Sequence, residues 1–230
     1  YQEINPAKHV MVHNAMQAIR REKGTFQHGK APILLETLPL LADMLSGSDL
    51  VTLRDKALLF LGFAGAFRRS ELVAVQIEDL TFTTQGMVVF IPQSKGDQLG
   101  AGSEIAIPYA PQKEICAVRA VRNWMEAAGI TSGPLFRGFK RNLQPRDTQL
   151  NDKAVAEIVK KYMARLGLDP SDFAGHSLRR GFATSAAQHD LNTLEIMRQT
   201  RHKSEKMVHR YIEQGNLFKE NALDKMFNKK

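Results

Sequence analysis

Between Leu50 and Ala66 the chain is nearly apolar throughout. A helix of that composition has no face suited to water, so other elements must enclose it. The longest apolar run, about Ala57 to Phe67, is well short of the ~20 residues that cross a bilayer, so the enclosure is protein. With 230 residues, 43% hydrophobic and 24% charged, the chain can build such a core and lacks the composition of a disordered segment. The N-terminal Tyr-Gln-Glu-Ile-Asn-Pro lacks the charged-then-apolar order of a signal peptide. No membrane partner and a cytoplasmic location are expected. Cys116, the sole cysteine, excludes an internal disulfide or a cysteine-based zinc site and is expected to be a buried packing residue.

Around the apolar segment the pattern is mostly helical. Residues 7–23 carry the stripe Val10, Val12, Ala15, Met16 and Ile19, which Gly24 ends. Thr25 to Pro32 is polar and breaker-rich, as in a linker. A helix is expected from Thr37 to Leu45, with Pro39 in its first turn. The turn Ser46-Gly47-Ser48-Asp49 has capping chemistry, and a further helix should run from Arg69 to Val75. The period then changes. Leu80 to Thr84 alternates, Gln85-Gly86 turns, Met87 to Ile91 is β-rich, and Glu104 to Pro108 alternates again. These segments predict a three-stranded antiparallel meander. Helical patterns follow at 112–128, 152–166, 177–188, 192–199, 204–213 and 217–227. The fold class is therefore mainly α (α+β), a helical domain carrying one small three-stranded sheet.

Thirty-two Lys and Arg against 24 Asp and Glu leave a formal charge of +8, with a pI near 9.6. That balance favours an anionic partner, and the clustering of the basic residues makes nucleic acid the leading candidate. Gly138 to Arg146 contains Lys140, Arg141 and Arg146 without an acid, and Arg137 precedes it.

Four separated segments carry the candidate chemistry. Gly65 to Leu72 holds Arg68 and, three residues on, Glu71. Gln93-Ser94-Lys95-Gly96 sets Lys95 between the second and third strands. His176-Ser-Leu-Arg179 puts an imidazole and a guanidinium one helical turn apart. His202 and Tyr211 follow, nine residues apart. Taken singly, each has an ordinary reading. Arg68 and Glu71 make a helix ion pair, Lys95 is a loop charge, His176 is a helix cap and Tyr211 is a core tyrosine. Glycines 96, 100 and 102 match neither nucleotide fingerprint, and the seven histidines show no paired metal-ligand spacing.

In this order and on these elements, Arg-x-Ser-Glu-Leu, a hairpin lysine, His-x-x-Arg and a His with a Tyr nine residues on resemble the tyrosine recombinases, the phage integrase family. The resemblance covers residues 31–230 as a catalytic domain. It makes residues 1–30 the last helix of an otherwise absent N-terminal core-binding domain, with its linker. It assigns Arg68 and Arg179 as the two catalytic arginines, Lys95 as the hairpin lysine, His176 and His202 as further phosphate donors, and Tyr211 as the nucleophile. Glu71 takes the supporting acid position. One departure is visible: Thr200-Arg201 stands where the family usually has Leu-Gly.

The resemblance implies a site-specific recombinase or integrase that cuts and rejoins DNA through a 3′-phosphotyrosyl link, without metal, ATP or another cofactor. Two guanidiniums suit the charge that gathers on non-bridging phosphate oxygens. A phenol with a pKa of ~10 needs such a pocket before it becomes a competent nucleophile. The expected partner is double-stranded DNA, with a homotetramer on it and exchange of the C-terminal helix between protomers. The helix pattern at Leu217, Phe218, Ala222, Leu223, Met226 and Phe227 is equally consistent with packing on its own domain. Arg20, Arg21, Lys23, Arg137, Lys140 and Arg141 are candidate backbone contacts, and association with the nucleoid follows from the DNA partner. A type IB topoisomerase is the alternative enzyme, and a DNA-binding module that has lost catalysis is the alternative class.

Overall fold

The computed structural model describes residues 9–24, 29–92, 102–202, 204–215 and 226. Its first helix, α1 (Val10–Lys23), has no buried residue, and Val10, Met11, Met16 and Ile19 are exposed. The helices α2 (Thr37–Met44), α3 (Leu50–Ala64) and α4 (Arg69–Ala74) follow. Asp49 starts α3 by accepting the Thr52 N–H at 3.0 Å, the capping expected of that turn. As the composition required, α3 is enclosed, with Leu58, Leu59 and Leu61 at 0% exposure.

Strands β1 (Leu80–Phe82), β2 (Gly86–Ile91) and β3 (Ser103–Pro108) form the antiparallel meander in the order β1-β2-β3. Its register pairs Val89 with Leu80 and with Ile105, so Met87, Val89, Ile91, Ile105 and Ile107 share the buried face. Helix α5 (Ala117–Ala128) packs against α3 and ends at Gly129, which takes the left-handed conformation at φ 63°. Cys116 is fully buried at its N-terminus, as expected, and its Sγ accepts the Ala110 N–H at 3.4 Å.

A second, two-stranded sheet of β4 (Arg137–Phe139) and β5 (Pro145–Gln149) adds to the expected architecture. Alternation did not reveal it because Arg146 to Gln149 are all exposed, so neither face of that strand needs apolar residues. A buried polar cluster anchors this hairpin. Asp55 on α3, at 0% exposure, accepts from Arg54, from Lys161 Nζ at 3.1 Å and from Tyr162 Oη at 3.0 Å. Arg54 also stacks on Phe139 and donates to the Arg137 carbonyl at 3.3 Å.

Helix α6 (Asp152–Arg165) carries Lys161 and Tyr162, and α7 (Ser177–Gln188), α8 (Thr193–Thr200) and α9 (Glu205–Gly215) close the described chain. Among the described residues, no helix is long and apolar enough to cross a membrane. Helix α7 sits between two apolar clusters: Leu178 joins the main core, while Ala183, Ala186 and Ala187 pack with Ile196 and Val208 of α8 and α9.

Residues 31–35 are strapped along α7. Ala31 N–H donates to the Asp172 carbonyl at 2.7 Å, Ile33 N–H to the Ser177 carbonyl at 3.0 Å, and Leu35 N–H to Ser185 Oγ at 2.9 Å. At Gly181 a Cβ would collide with the Ile33 carbonyl, so this close approach requires glycine. Gly181→Ala is expected to cost about 1–3 kcal/mol of stability by forcing the strap off α7, read as a lower urea midpoint in equilibrium unfolding.

Candidate active site

Arg68 owes its position to the way α3 stops. The chain turns through Gly65 and Ala66, the latter at φ 45°, and Phe67 is driven into the core at 1% exposure. Arg68 then becomes the N-cap of α4 in extended conformation, and Glu71 closes the capping box by accepting the Arg68 N–H at 3.0 Å. The Arg68 guanidinium binds the other oxygen of the same carboxylate. Glu71 is 6% exposed and also accepts from Arg201 Nη2 at 2.8 Å. Burial pushes the Glu71 carboxyl up, but the Arg68 N–H bond and the charges of Arg201 and Arg68 outweigh it and leave the group below the usual carboxylate range. Glu71 is thus an ionised brace between two arginines.

His176 is the N-cap residue of α7, and Arg179 lies three residues on. Arg179 is 4% exposed, and its Nη1 donates to the Ala66 carbonyl at 2.7 Å. Its Nη2 is buried without a hydrogen-bond partner among the described residues. Desolvation, then the charges of Arg68 and Arg201, lower its value to about 10, which still leaves it charged at neutral pH.

His202 follows the end of α8 and is 7% exposed. Its ring stacks on Tyr211 of α9 with centroids 5.7 Å apart and planes inclined by 30°. Val208, one turn before Tyr211, is fully buried against α7 and α8, and Tyr211 itself is half-buried at the edge of that cluster. Desolvation and the guanidiniums of Arg179, Arg68 and Arg201 bring His202 down to about 4. His176 is lowered by desolvation and by Arg69, Arg179 and Arg68. At neutral pH both imidazoles are therefore neutral, each with a donor to offer.

Arg68, His176, Arg179, His202 and Tyr211 line one cleft of about 380 Å³. Five of the six expected catalytic side chains, drawn from three separated segments, thus meet at one place. The sixth, Lys95, lies outside the described residues. Lys30 and Arg180, which the sequence did not single out, also line the cleft, with Ala174 and Met207. Lys30 has no sequence signal, since only the strap along α7 brings residues 29–35 beside His176.

The candidate DNA contacts are more dispersed. Arg20, Arg21 and Lys23 are exposed in the last turn of α1. Lys140 and Arg141 are exposed at the turn between β4 and β5. Arg137 differs, because its Nε donates to the Pro134 carbonyl at 2.9 Å and its Nη2 to the Ser132 carbonyl, so most of its donors hold its own loop.

The sequence profile of the Phage integrase family matches residues 36–216, which contain every expected catalytic residue. The chain belongs to the phage integrase family. It is 69% identical over 225 residues to an integrase/recombinase described as a XerD homolog in Selenomonas ruminantium, covering 98% of this chain and 66% of that protein. Among solved structures it resembles the XerH site-specific recombinase bound to a palindromic difH substrate, with a TM-score of 0.66 at 17% identity over 86% of this chain and 52% of that one. It also resembles the Tn1549 transposon integrase in complex with transposon right end DNA, with a TM-score of 0.55 at 18% identity over 82% and 62% of the two chains. The chain thus spans about two thirds or less of the length of these relatives. They are recombinases and an integrase, which gives the type IB topoisomerase alternative no support.

The lowered His202 value has a consequence for this phage integrase domain. The unfolded chain holds the imidazole proton near pH 6.5 and the folded one near 4, so protons bind preferentially to the unfolded state between these values. The stability that this residue contributes is full above pH ~6.5 and is lost as pH falls toward 4, up to about 3 kcal/mol. Thermal unfolding from pH 7 to 4.5 should therefore show a smaller fall in Tm for His202→Trp than for the native chain.

Proposed function

We propose that the chain is the catalytic domain of a site-specific DNA recombinase that cleaves one strand by attack of Tyr211 on a phosphodiester. The Tyr211 phenolic oxygen bonds to phosphorus, the bond from phosphorus to the 5′ oxygen breaks, and a 3′-phosphotyrosyl link with a free 5′ hydroxyl results. The observation that carries this reading is the buried Arg179 guanidinium, one arm fixed to the Ala66 carbonyl and the other without a partner among the described residues, in the lining of the cleft that holds Tyr211. A desolvated cation with a spare donor favours an anion, and two arginines suit the paired oxygens of a phosphodiester. Neutral His176 and His202 add donors to the same group without protonating the phenolate.

Lys95 is the proposed general acid that protonates the leaving 5′ oxygen. In support, the hollow lined by Glu71 is also lined by Ile91 and Pro92, so the strand that leads to Lys95 ends beside the Arg68 brace. The arginines supply the positive charge on which such a reaction depends, so this reading calls for no metal ion or ATP. The energy of the broken bond is retained in the covalent link, and a second 5′ hydroxyl can rejoin the strand.

DNA is the proposed partner, held mainly through backbone phosphates with a strong salt dependence. The complexes of XerH with difH and of the Tn1549 integrase with transposon right end DNA support this assignment. Lys140, Arg141 and the α1 residues Arg20, Arg21 and Lys23 are the proposed contacts outside the cleft. The exposed apolar stripe of α1 supports the reading that residues 1–30 belong to a core-binding domain and linker. A homotetramer on DNA, linked by exchange of the C-terminal helix, and association with the nucleoid complete the proposal. The tail that would be exchanged lies outside the described residues, apart from Met226.

The test is covalent trapping in EDTA. The protein is incubated with supercoiled plasmid and with nicked duplexes, quenched in SDS, and compared with Tyr211→Phe. An SDS-stable adduct that Tyr211→Phe abolishes is expected, and an adduct that survives the substitution would refute the assignment. Lys95→Ala should slow cleavage of the ordinary phosphodiester by ~10²-fold or more. It should cleave a 5′-bridging phosphorothiolate at the native rate, because a thiolate leaves without a proton. A loss that persists on the sulfur substrate would remove Lys95 from the general-acid role.

A further inference from the structure

Arg201 occupies the C-cap of α8 in the left-handed conformation, at φ 57° and ψ 37°. Glycine is the usual occupant of such a position, and a residue with a Cβ meets a steric cost there. The contacts of the side chain indicate what offsets that cost. Its Nη2 binds Glu71 Oε2 at 2.8 Å, and its Nη1 donates to the carbonyls of Gly65 and Gln199, each at 3.1 Å. The guanidinium carbon lies 5.2 Å from the centre of the Phe67 ring, and the side chain is 10% exposed.

These contacts form one device. The carbonyls of Ala64, Gly65 and Ala66, at the end of α3, accept in turn from Gln199 Nε2, Arg201 Nη1 and Arg179 Nη1. Three carbonyls at a helix C-terminus are thereby served by side chains of α7, α8 and the α8 cap. Arg201 also shares Glu71 with Arg68, so the turn that bears His202 is tied to the carboxylate that holds Arg68.

We infer that Arg201 is a positioning residue for strand cleavage, setting the Arg68 guanidinium through Glu71 and setting His202 through the α8 turn. This inference rests on the proposed Tyr211 chemistry. Arg201 does not line the cleft, so it acts through these two residues. A domain with glycine at this position would leave Glu71 with Arg68 alone, and here the second arginine makes the brace two-sided.

The experiment compares the native chain with Arg201→Gly and Arg201→Lys. Arg201→Gly relieves the backbone strain, so a residue that only stabilises the fold would be replaced with little effect on the chemistry. Single-turnover cleavage at saturating DNA, on a duplex where the native chain forms the Tyr211 adduct, should fall at least ~10-fold in Arg201→Gly. DNA affinity should stay within about threefold. Arg201→Lys should recover part of the rate, since an ammonium reaches one of the two partners. The second readout needs no DNA. Titration of the His202 imidazole by NMR should move upward in Arg201→Gly, because Arg201 is one of three cations facing it, with Arg179 of α7 and Arg68 of the α4 cap. Native-rate cleavage by a folded Arg201→Gly, or an unmoved His202 titration, would overturn the inference. Failure of the native chain to form a Tyr211 adduct on any duplex would instead count against the proposed chemistry, leaving the titration to decide the positioning role.

Discussion

The C-terminus of α3 is the point on which the rest of the site depends. A helix leaves its last carbonyls without intrahelical donors, and α3 ends deep inside the protein, where water does not supply them. The solution is cationic: Arg179 and Arg201 donate to consecutive carbonyls beside the amide of Gln199. Positive charge is favoured there by the helix dipole as well as by the hydrogen bonds. The groups that satisfy the core are therefore the ones that border the cleft. Arg179 caps α3 with one arm, keeps the other without a partner among the described residues, and lines the cleft.

This arrangement concentrates charge. Arg68, Arg179 and Arg201 surround a single carboxylate, Glu71, and burial adds a desolvation cost to the Arg179 and Arg201 guanidiniums. A pocket with surplus buried positive charge is under electrostatic stress until an anion enters, and that stress favours a phosphodiester over a neutral ligand. Desolvation and the same field hold His202 and His176 neutral, so the imidazoles add nothing to the repulsion. Packing and electrostatics meet in α7. One of its faces joins the main core, the other receives α8 and α9 through alanines, and Arg179 is fixed between them.

Much of this was legible in the sequence, for definable reasons. Most helices were readable from apolar periodicity, α3 from its nearly continuous apolar run, and α7 runs over the expected residues 177–188. The meander was readable because its buried face alternates along β2 and β3. The β4-β5 hairpin was less so, because its support is the Asp55 cluster and not an apolar face. Arg201 stood out only as a departure from a familial glycine. Nothing in the chain order relates it to Glu71, 130 residues away, or to the Gly65 carbonyl.

The sequence by itself determined most of the elements, the family and the candidates for the reactive groups, because those depend on local periodicity and on residue types at fixed spacing. Only the tertiary structure decided which groups share a cleft, that Lys30 joins them, and that Glu71 braces two arginines instead of one. Those outcomes depend on where the buried end of α3 finds its donors. Hydrogen-bond satisfaction in a closed core is settled among residues far apart in the chain, so no local pattern encodes it.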